Sequence, residues 1–417
     1  MTDKAALTAP RLFYGWLVVA AGFAVTFVDF GCTYSFAAFV APLQDEFGMS
    51  RGAVSLVFSL AGFLYFSLGM ISGPLADRWG SRQMALIGMA LLGIGLAAAS
   101  AAQNLSQVYA AYGLGVGLGV GCSYVPAMGA VQRWFMRRRG LASGFASAGI
   151  GVGTLGVPPL AAWLIGAVGW RDAYLVLGAA AALLGGAMAL LIVNDPRERG
   201  LAPDGDAAPA AQANGTSGAT LREAIASRRF IGLYAACLAC SFGVFVPFVH
   251  LVPYAVDHGV PATRGVLLLS LIGVGSATGR FFLGGIADRL GRELSLTLMF
   301  VGMALALAIW LTSSTLWPLA AFALLFGTAY GGWVALLPSV VMDYFGGRNV
   351  SGLIGVLYTS VGVGTLIGPT AAGFAFDITG SYLIPIAASI AANVIAAIVI
   401  AATARGSNVS RAQRSTN

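Results

Sequence analysis

The stretch GPLADRWGSR, at Gly73–Arg82, decides the fold because it separates two long apolar runs and occurs twice. Its second copy, GGIADRLGR, occupies Gly284–Arg292 and also lies between two apolar runs. A second pair of similar stretches, GVGTLGVPP at Gly151–Pro159 and GVGTLIGPT at Gly362–Thr370, has the same spacing along the chain. Two independent pairs with one spacing predict that the chain consists of two related halves in parallel duplication.

The composition places both halves in a membrane. Of the 417 residues, 58% are apolar and 9% are charged, and the mean hydropathy is +0.84, whereas a soluble chain is usually about 25% charged. An ordinary soluble protein is therefore excluded. The 23 Lys and Arg outnumber the 16 Asp and Glu, but they stand singly or in small groups between apolar runs. That distribution indicates contact with a lipid bilayer and not with nucleic acid.

The apolar runs predict an all-α membrane protein with twelve transmembrane helices, since a membrane-spanning helix needs roughly 20 apolar residues. The runs are at 12–41, 52–76, 84–103, 107–132, 140–166, 172–194, 230–256, 264–287, 294–313, 316–342, 350–376 and 380–403. The long polar stretch at 195–229 is rich in Pro, Gly and charge, as flexible linkers are. It separates an N-terminal six-helix bundle at 12–194 from a C-terminal one at 230–403, and residues 1–11 and 404–417 are predicted tails.

The basic residues predict the orientation in the membrane. Lys and Arg are enriched in the cytoplasmic loops of membrane proteins. With both termini in the cytoplasm, all of them except Arg51, Arg171, Arg264 and Arg280 fall on that side. We therefore expect a multi-pass protein of the cell (inner) membrane with cytoplasmic termini. Duplicated six-helix halves also predict a central site between them, near the bilayer midplane, which rocking exposes to each side in turn.

The duplicated loop resembles the signature loop of the major facilitator superfamily, whose fold has 12 transmembrane helices in two six-helix halves. The resemblance implies that Asp77, Arg78, Asp288 and Arg289 form a latch that holds one conformational state. Elementary physics agrees, because an acid can face the positive end of a neighbouring helix and the arginines can anchor to the cytoplasmic surface.

A second motif narrows the resemblance to one family. RWFMRRRGLASGFASAG at Arg133–Gly149 resembles the signature of the monocarboxylate transporters. FYGW at Phe13–Trp16 matches the end of that family's other signature without its leading acidic residue. The first stretch is also similar to bacterial oxalate/formate exchangers. The resemblance implies transport and not enzymatic catalysis, no cofactor, and a monomer as the transport unit. Gly144, Ala148 and Gly149 are expected to let the fifth helix pack closely.

Arg280 is the strongest candidate for substrate binding. It lies eight residues before Asp288, which at 1.5 Å per helical residue is about 12 Å from the helix end, near the bilayer centre. An ionisable residue at this depth is a functional candidate by default. Its forked donors suit a planar carboxylate, and the resemblance implies the same contact. The alternative is a structural ion pair with Asp29, or contact with a cluster of backbone carbonyls.

Three further residues are candidates for proton coupling. Asp29 is an acid at mid-membrane depth in the first helix, where carboxylates often belong to proton relays. His250 and Asp257 lie seven residues apart on nearly one face of the seventh helix, toward its extracellular end, and histidine titrates near physiological pH. As alternatives, Asp29 could pair with Arg280 or lie near the outer mouth, and His250 and Asp257 could form a polar contact of an outer gate.

Aromatic residues complete the predicted site. A tyrosine hydroxyl can donate to a carboxylate, and the helices that line the cavity in this fold contain Tyr34, Tyr124, Tyr330 and Tyr358. Packing with the hydroxyl bonded locally is the alternative for each of them. Phe145 and Phe281 are expected to form an apolar wall for a short acyl chain.

Departures from the family limit what can be transferred to this chain. Ser276 stands where many monocarboxylate transporters carry a carboxylate one turn before the arginine, and Ala38 stands where they carry a lysine. The eleventh helix lacks the lysine of the oxalate/formate exchangers. A single cavity cation fits a monoanion better than a dianion. We therefore expect symport of a proton with a small monocarboxylate of the lactate or pyruvate type, by alternating access.

Other classes of function find less support in the sequence. An organic anion exchanger is the nearest alternative, and a drug exporter of the same fold is the next. A membrane enzyme is disfavoured because the chain has 2 His and no cluster with the spacing of metal ligands. Cys237 and Cys240 lie in an apolar run, as the other two Cys do, so we expect packing and not a metal or redox site.

Overall fold

The computed structural model describes residues 13–205, 218–346 and 349–414. A few side chains within these ranges, those of Asp288 and of residues 404–414 among them, lie outside the description. The tail predicted at 1–11 also lies outside the described residues.

Helices account for nearly all of the described residues. In the first half they are α1 (Gly15–Phe47), α2 (Arg51–Trp79), α3 (Ser81–Ser100), α4 (Leu105–Trp134) and a segment of 50 residues, Gly140–Ala189. In the second half they are α7 (Arg228–Asp257), α8 (Ala262–Leu290), α9 (Arg292–Leu311), α10 (Leu316–Phe345), α11 (Val350–Thr379) and α12 (Leu383–Arg414). These 11 segments are long and apolar enough to cross a membrane.

The longest segment contains two of the predicted spans. Gly169 has a φ of 84° and a ψ of 165° and divides the segment into α5 (140–168) and α6 (170–189). Glycine adopts positive φ without steric cost, so the chain reverses between the two helices without a separate loop. The sequence predicts spans at 140–166 and 172–194, and α5 and α6 therefore bring the membrane-length helices of the described residues to the predicted 12.

The first helix of each half is interrupted at nearly the same place. α1 loses regular helical structure at Ser35 and α7 loses it at Phe245. Interrupted helices near the membrane centre are typical of transporter binding sites. Beyond its interruption α1 continues to Phe47, past the predicted end at 41, because its last turns are amphipathic and leave the apolar run.

The two halves meet along α2 with α11 and along α5 with α8. Small residues make the second contact possible, because glycines let helix backbones approach closely. A Cβ added to Gly273 on α8 would lie 2.5 Å from the Leu155 amide nitrogen, and one added to Gly151 on α5 would lie 2.8 Å from the Ala277 nitrogen. The backbones of the two halves therefore touch at this crossing.

The bundle has two ends with different contents. One end contains the turn between α2 and α3, the matching turn between α8 and α9, and both described parts of the linker; we call it the linker face. Thr220 begins the short helix Leu221–Ile225 there with a capping box, in which Thr220 and Glu223 satisfy each other's backbone N–H groups. The opposite end contains Arg51, Asp257 and Asp377, and we call it the Arg51 face.

A matched pair of glycine substitutions in α5 tests this packing. A Cβ on Gly149 would overlap the Phe23 carbonyl oxygen and the Thr26 hydroxyl of α1, whereas a Cβ on Gly144 has nothing within 4 Å. We expect Gly149→Ala to destabilise the folded protein by about 1–3 kcal/mol, as overpacking does. Gly144→Ala is expected to leave stability unchanged or to raise it slightly. Thermal unfolding in detergent measures both, and equal melting temperatures for the two variants would contradict the described contact.

Candidate functional site

Arg280 is buried near the middle of α8, with 5% of its surface exposed. Its Nε atom donates to the hydroxyl oxygen of Ser276, one turn earlier, at 3.3 Å. Its Nη2 atom is buried and has no hydrogen-bond partner among the described residues. An unpaired donor on a buried charge is costly, and the arrangement therefore fits an anion that arrives from outside the chain.

Four tyrosines lie in the neighbourhood of this guanidinium, and they are the four that the sequence predicts. The Arg280 Cζ atom lies 6.0 Å from the ring centroid of Tyr330. The guanidinium also lies close enough to act electrostatically on the hydroxyls of Tyr34, Tyr124 and Tyr358. The tyrosines come from α1, α4, α10 and α11, so both halves contribute to the cluster.

The tyrosines also join the halves to each other. The hydroxyls of Tyr34 on α1 and Tyr330 on α10 are 3.0 Å apart and hydrogen-bonded. The ring of Phe248 on α7 stacks on Tyr34 with centroids 4.4 Å apart. Tyr124 on α4 and Tyr358 on α11 are a second pair from the two halves, close enough to act electrostatically on each other. The site is therefore also a contact between the two halves.

Phe145 and Phe281 occupy a different position from these tyrosines. Their rings contact each other across the α5 and α8 crossing, with centroids 5.5 Å apart, and each residue is 44% exposed. Phe281 follows Arg280 in the same helix, and consecutive helical residues point about 100° apart. The structure brings the two phenylalanines together but places them outside the buried tyrosine cluster.

Asp29 is fully buried on α1 and has its partner in α4. Both carboxylate oxygens accept from the hydroxyl of Ser123, at 2.7 and 2.9 Å. Arg280 is not that partner, since the ion pairs among the described residues do not include Asp29. Tyr124 is the residue after Ser123, and its hydroxyl is within electrostatic reach of both Asp29 and Arg280.

Asp257 belongs to a charged network on the Arg51 face. Arg51, at the start of α2, donates from Nη1 and Nη2 to the two carboxylate oxygens of Asp257, at 2.5 and 2.8 Å. The carboxylate of Asp377, near the end of α11, accepts from the backbone N–H groups of Arg51 and Gly52 at 2.9 and 2.8 Å. Both acids come from the second half and both bind the N-terminus of α2, where a negative charge is favourable.

His250 extends the same network toward the membrane centre. Its Nδ1 atom lies 3.0 Å from the hydroxyl of Tyr382, which accepts from Arg51 Nη1 at 3.1 Å. Its Nε2 atom lies 2.8 Å from the carbonyl oxygen of Pro369 and 3.4 Å from the hydroxyl of Ser55. His250 and Asp257 thus bind different atoms, and Tyr382 with Arg51 connects them. This geometry agrees with the outer-gate alternative for the pair.

Asp77, one of the predicted latch residues, is held within its own half. Asp77 accepts from Arg133 Nη1 at 2.9 Å, and Arg133 Nη2 donates to the hydroxyl of Ser81 at 2.9 Å. Arg78 and its counterpart Arg289 are exposed on the linker face. The side chain of Asp288 lies outside the described residues, and in its half Arg292 binds Asp343 at 2.6 Å.

The linker begins with a contact to the turn between α4 and α5. The carboxylate of Asp204 accepts from the backbone N–H groups of Met136 and Arg137 at 3.0 and 2.9 Å. Partial burial acts to raise the pKa of Asp204, but these backbone hydrogen bonds outweigh it and hold the pKa below its usual range. This end of the linker is therefore bound to the first half as a stable anion.

Sequence reasoning missed Arg51, Asp377 and Tyr382 as members of the network on the Arg51 face, and Tyr65 beside the tyrosine cluster. Arg51 carried a signal, because it is one of few basic residues on the predicted outer side and begins a helix. Nothing in the sequence marks the hydroxyl of Tyr65 or the partner of Asp377. Among the described residues no three His, Cys, Asp or Glu are grouped as metal ligands would be.

Comparisons with known proteins agree with this architecture. The sequence profile of the Major Facilitator Superfamily matches residues 21–346 and 267–416. The chain is 32% identical to Monocarboxylate transporter 11 of Mus musculus over 392 residues, covering 92% of this chain and 85% of the relative.

Two other relatives show the breadth of the similarity. Monocarboxylate transporter 4 of Rattus norvegicus is 29% identical over 382 residues, with 90% of this chain and 80% of the relative covered. MFS-type transporter pytF of Aspergillus terreus is 32% identical over 283 residues, with 67% of this chain and 91% of the relative covered. The duplicated bundle of 12 helices, with a buried arginine between its halves, thus agrees with the family to which these similar proteins belong. The chain belongs to the Major Facilitator Superfamily and, within it, to the monocarboxylate transporter family.

Proposed function

We propose that the protein carries a small monocarboxylate, of the lactate or pyruvate type, across the cell membrane together with a proton. The observation that carries the proposal is the free Nη2 donor of buried Arg280 among four tyrosines. A carboxylate accepts two parallel hydrogen bonds from a guanidinium and neutralises its charge. The names of the similar transporters from mouse and rat support the same class of substrate.

Asp29 is the proton carrier in this proposal. Its carboxyl is fully buried and has one hydroxyl as its partner, with no cation in contact among the described residues. An ionised carboxylate in such a place costs several kcal/mol, so the neutral acid is the cheaper form. Asp257 is bound to Arg51 and His250 to three groups of the gate. With one anion on Arg280 and one proton on Asp29, the loaded carrier adds no net charge to the membrane centre.

The direction of opening follows from the gate. We propose that the Arg51 face is extracellular and the linker face cytoplasmic, in agreement with the distribution of basic residues. The bonds of Arg51 to Asp257 and Asp377 run between the halves, whereas the bond of Arg133 to Asp77 on the linker face stays within one half. A carrier closed outside and held shut by bonds between halves fits alternating access.

Substitution of Arg280 tests the substrate site. Removing one partner of a buried charge pair costs about 2–5 kcal/mol, so Arg280→Ala is expected to lower kcat/KM for labelled lactate by about 30-fold or more. Arg280→Lys keeps the charge without the fork and should fall between Ala and wild type. Arg264→Ala, at an exposed position, is the control. Unchanged uptake by Arg280→Ala, in protein with normal thermal stability, would contradict the assignment.

Substitution of Asp29 tests proton coupling. In proteoliposomes with an inward proton gradient we expect wild type to accumulate lactate against its concentration gradient. Asp29→Asn should exchange lactate in counterflow but lose this accumulation, because the amide carries no proton. Asp172→Asn, at an exposed acid, should behave as wild type. Wild-type uptake that ignores the pH gradient but shows counterflow would replace symport by exchange of organic anions.

Cysteine accessibility tests the outer gate. We expect Ser55→Cys, a buried position, to react several-fold faster with an impermeant maleimide when Asp257→Ala is added, because the bond of Arg51 across the halves is lost. Glu46→Ala is the matched control, since it removes an ion pair with Arg171 inside the first half, 2.9 Å long and on the same face. Labelling of protein without Ser55→Cys gives the background. Equal acceleration by both variants would show that Asp257 does not hold the gate.

A further inference from the structure

We infer that Ser123 positions the proton of Asp29 by reversing its hydrogen bond: it donates to the ionised carboxylate and accepts from the neutral acid. Ser123 is then a positioning residue for proton binding and release, and its own proton is never transferred. The inference rests on the proposed function, because it requires Asp29 to gain and lose the coupled proton.

The starting observation is that one buried hydroxyl has four oxygen atoms within hydrogen-bond distance. Ser123 on α4 is fully buried, and its Oγ atom lies 2.7 and 2.9 Å from the two carboxylate oxygens of Asp29. The carbonyl oxygens of Gly119 and Val120 lie 3.0 and 3.2 Å from the same atom. A serine hydroxyl has one proton to donate and two lone pairs that accept. It therefore donates to one of these four oxygens at a time.

The two protonation states of Asp29 need opposite partners, because a carboxylate only accepts hydrogen bonds whereas a carboxylic acid also donates one. When Asp29 is ionised, the Ser123 O–H points at the carboxylate, which has no other side-chain donor among the described residues. When Asp29 takes up a proton, its new O–H donates to Ser123 Oγ, and the Ser123 O–H turns to the carbonyl oxygen of Gly119. Rotation about one C–O bond thus satisfies both states.

Packing holds the groups of this switch in place. A Cβ added to Gly88 on α3 would lie 2.7 Å from the Cβ of Ser123 and 2.5 Å from the carbonyl oxygen of Gly119. The backbone of α3 therefore lies against the turn of α4 that carries the hydroxyl. Asp29, Ser123 and Gly119 all belong to the first half, so they stay together when the halves rock. The same hydroxyl then serves proton loading on one side and proton release on the other.

Few other ionisable groups lie near this pair. Cys32 on α1, and Cys122 and Tyr124 on α4, are within electrostatic reach of Asp29. The other helices that pack on α1 are α3, α5 and α6, and no ionisable side chain occurs in their stretches 84–100, 140–168 and 175–189. Thiols and phenols are ordinarily neutral near pH 7. A change in the pH dependence of transport on substitution of Ser123 therefore reports on Asp29.

Removal of the hydroxyl tests the switch in proteoliposomes, where initial uptake of labelled lactate is measured against external pH at a fixed internal pH. Hydrogen bonds to charged groups are stronger than those to neutral groups, so Ser123→Ala disfavours the ionised form of Asp29 more than the acid. We expect half-maximal uptake to move to a higher external pH by about one pH unit. Maximal net uptake should fall, because the proton is released more slowly inside, whereas lactate counterflow, which needs no release, should persist.

Two further variants complete the test. Ser123→Cys replaces the hydroxyl by a weak donor and should shift the profile in the same direction, so the test does not depend on the folding of one variant. Ser389→Ala is the matched control. Ser389 on α12 is also buried and donates to the carbonyl oxygen four residues earlier, at 2.8 Å, with no carboxylate bonded to it among the described residues. It should keep the wild-type profile, and melting temperatures in detergent check the folding of all three variants.

The outcomes separate this inference from the proposed function. A wild-type profile in both Ser123 variants, a fall in uptake at every pH without a shift, or an equal shift in Ser389→Ala would each overturn the inference while leaving proton symport intact. Wild-type uptake that ignores external pH would contradict symport itself. Accumulation of lactate by Asp29→Asn would show that Asp29 does not carry the proton, and both proposals would then fail at that residue.

Discussion

The buried positive charge of Arg280 is the constraint on which the rest of the structure depends. A guanidinium at this depth costs several kcal/mol unless its surroundings offset it. Here the offset is partial, with one hydroxyl on Nε and four tyrosines around it. Glycines create the position, because a Cβ on Gly331 of α10 would lie 2.7 Å from the Cα of Ser276. The close approach of α8 and α10 holds Arg280 beside Tyr330. Small residues such as Gly331 lie at this crossing because a larger side chain would not fit.

The proposed outer gate is built from bonds that are individually weak. The Arg51 and Asp257 side chains are 16% and 31% exposed, and partly exposed ion pairs contribute about 0–1 kcal/mol. The contact is strengthened by the number of these bonds, because Asp257, Asp377 and Tyr382 all bind the first residues of α2. Such a gate closes the bundle firmly yet opens at a cost of a few kcal/mol, which is the range in which a substrate can shift a two-state equilibrium.

The features that can be predicted from the sequence are those that depend on hydropathy and on the order of residues along the chain. The spans, the duplication and the depth of Arg280 follow from apolar runs and from the spacing of charges along one helix. Pairings between helices do not follow, because they depend on how each helix is rotated against its neighbours. Asp29 therefore binds Ser123 of α4 where an ion pair with Arg280 was an alternative, and Phe145 with Phe281 lies half-exposed at a helix crossing. Gly169 joins two predicted spans into one segment for a similar reason, since only the backbone geometry reveals a turn without a loop.

The departure at Ser276 places the proton-carrying acid and the anion-binding cation of the proposed cycle in different halves. Many members of the family carry the carboxylate one turn before the arginine, where it would neutralise that arginine directly. In this chain the neighbour on α8 is a neutral hydroxyl, so no carboxylate one turn away competes with the proposed substrate for Arg280, and the buried acid is Asp29 on α1. The anion is then held by the second half and the proton by the first, with Tyr124 within reach of both charges. Because each half carries one partner, bringing the halves together around an anion without its proton, or around a proton without its anion, leaves one unbalanced charge in a low dielectric. The packing between the halves that moves the substrate would in this way also enforce the coupling.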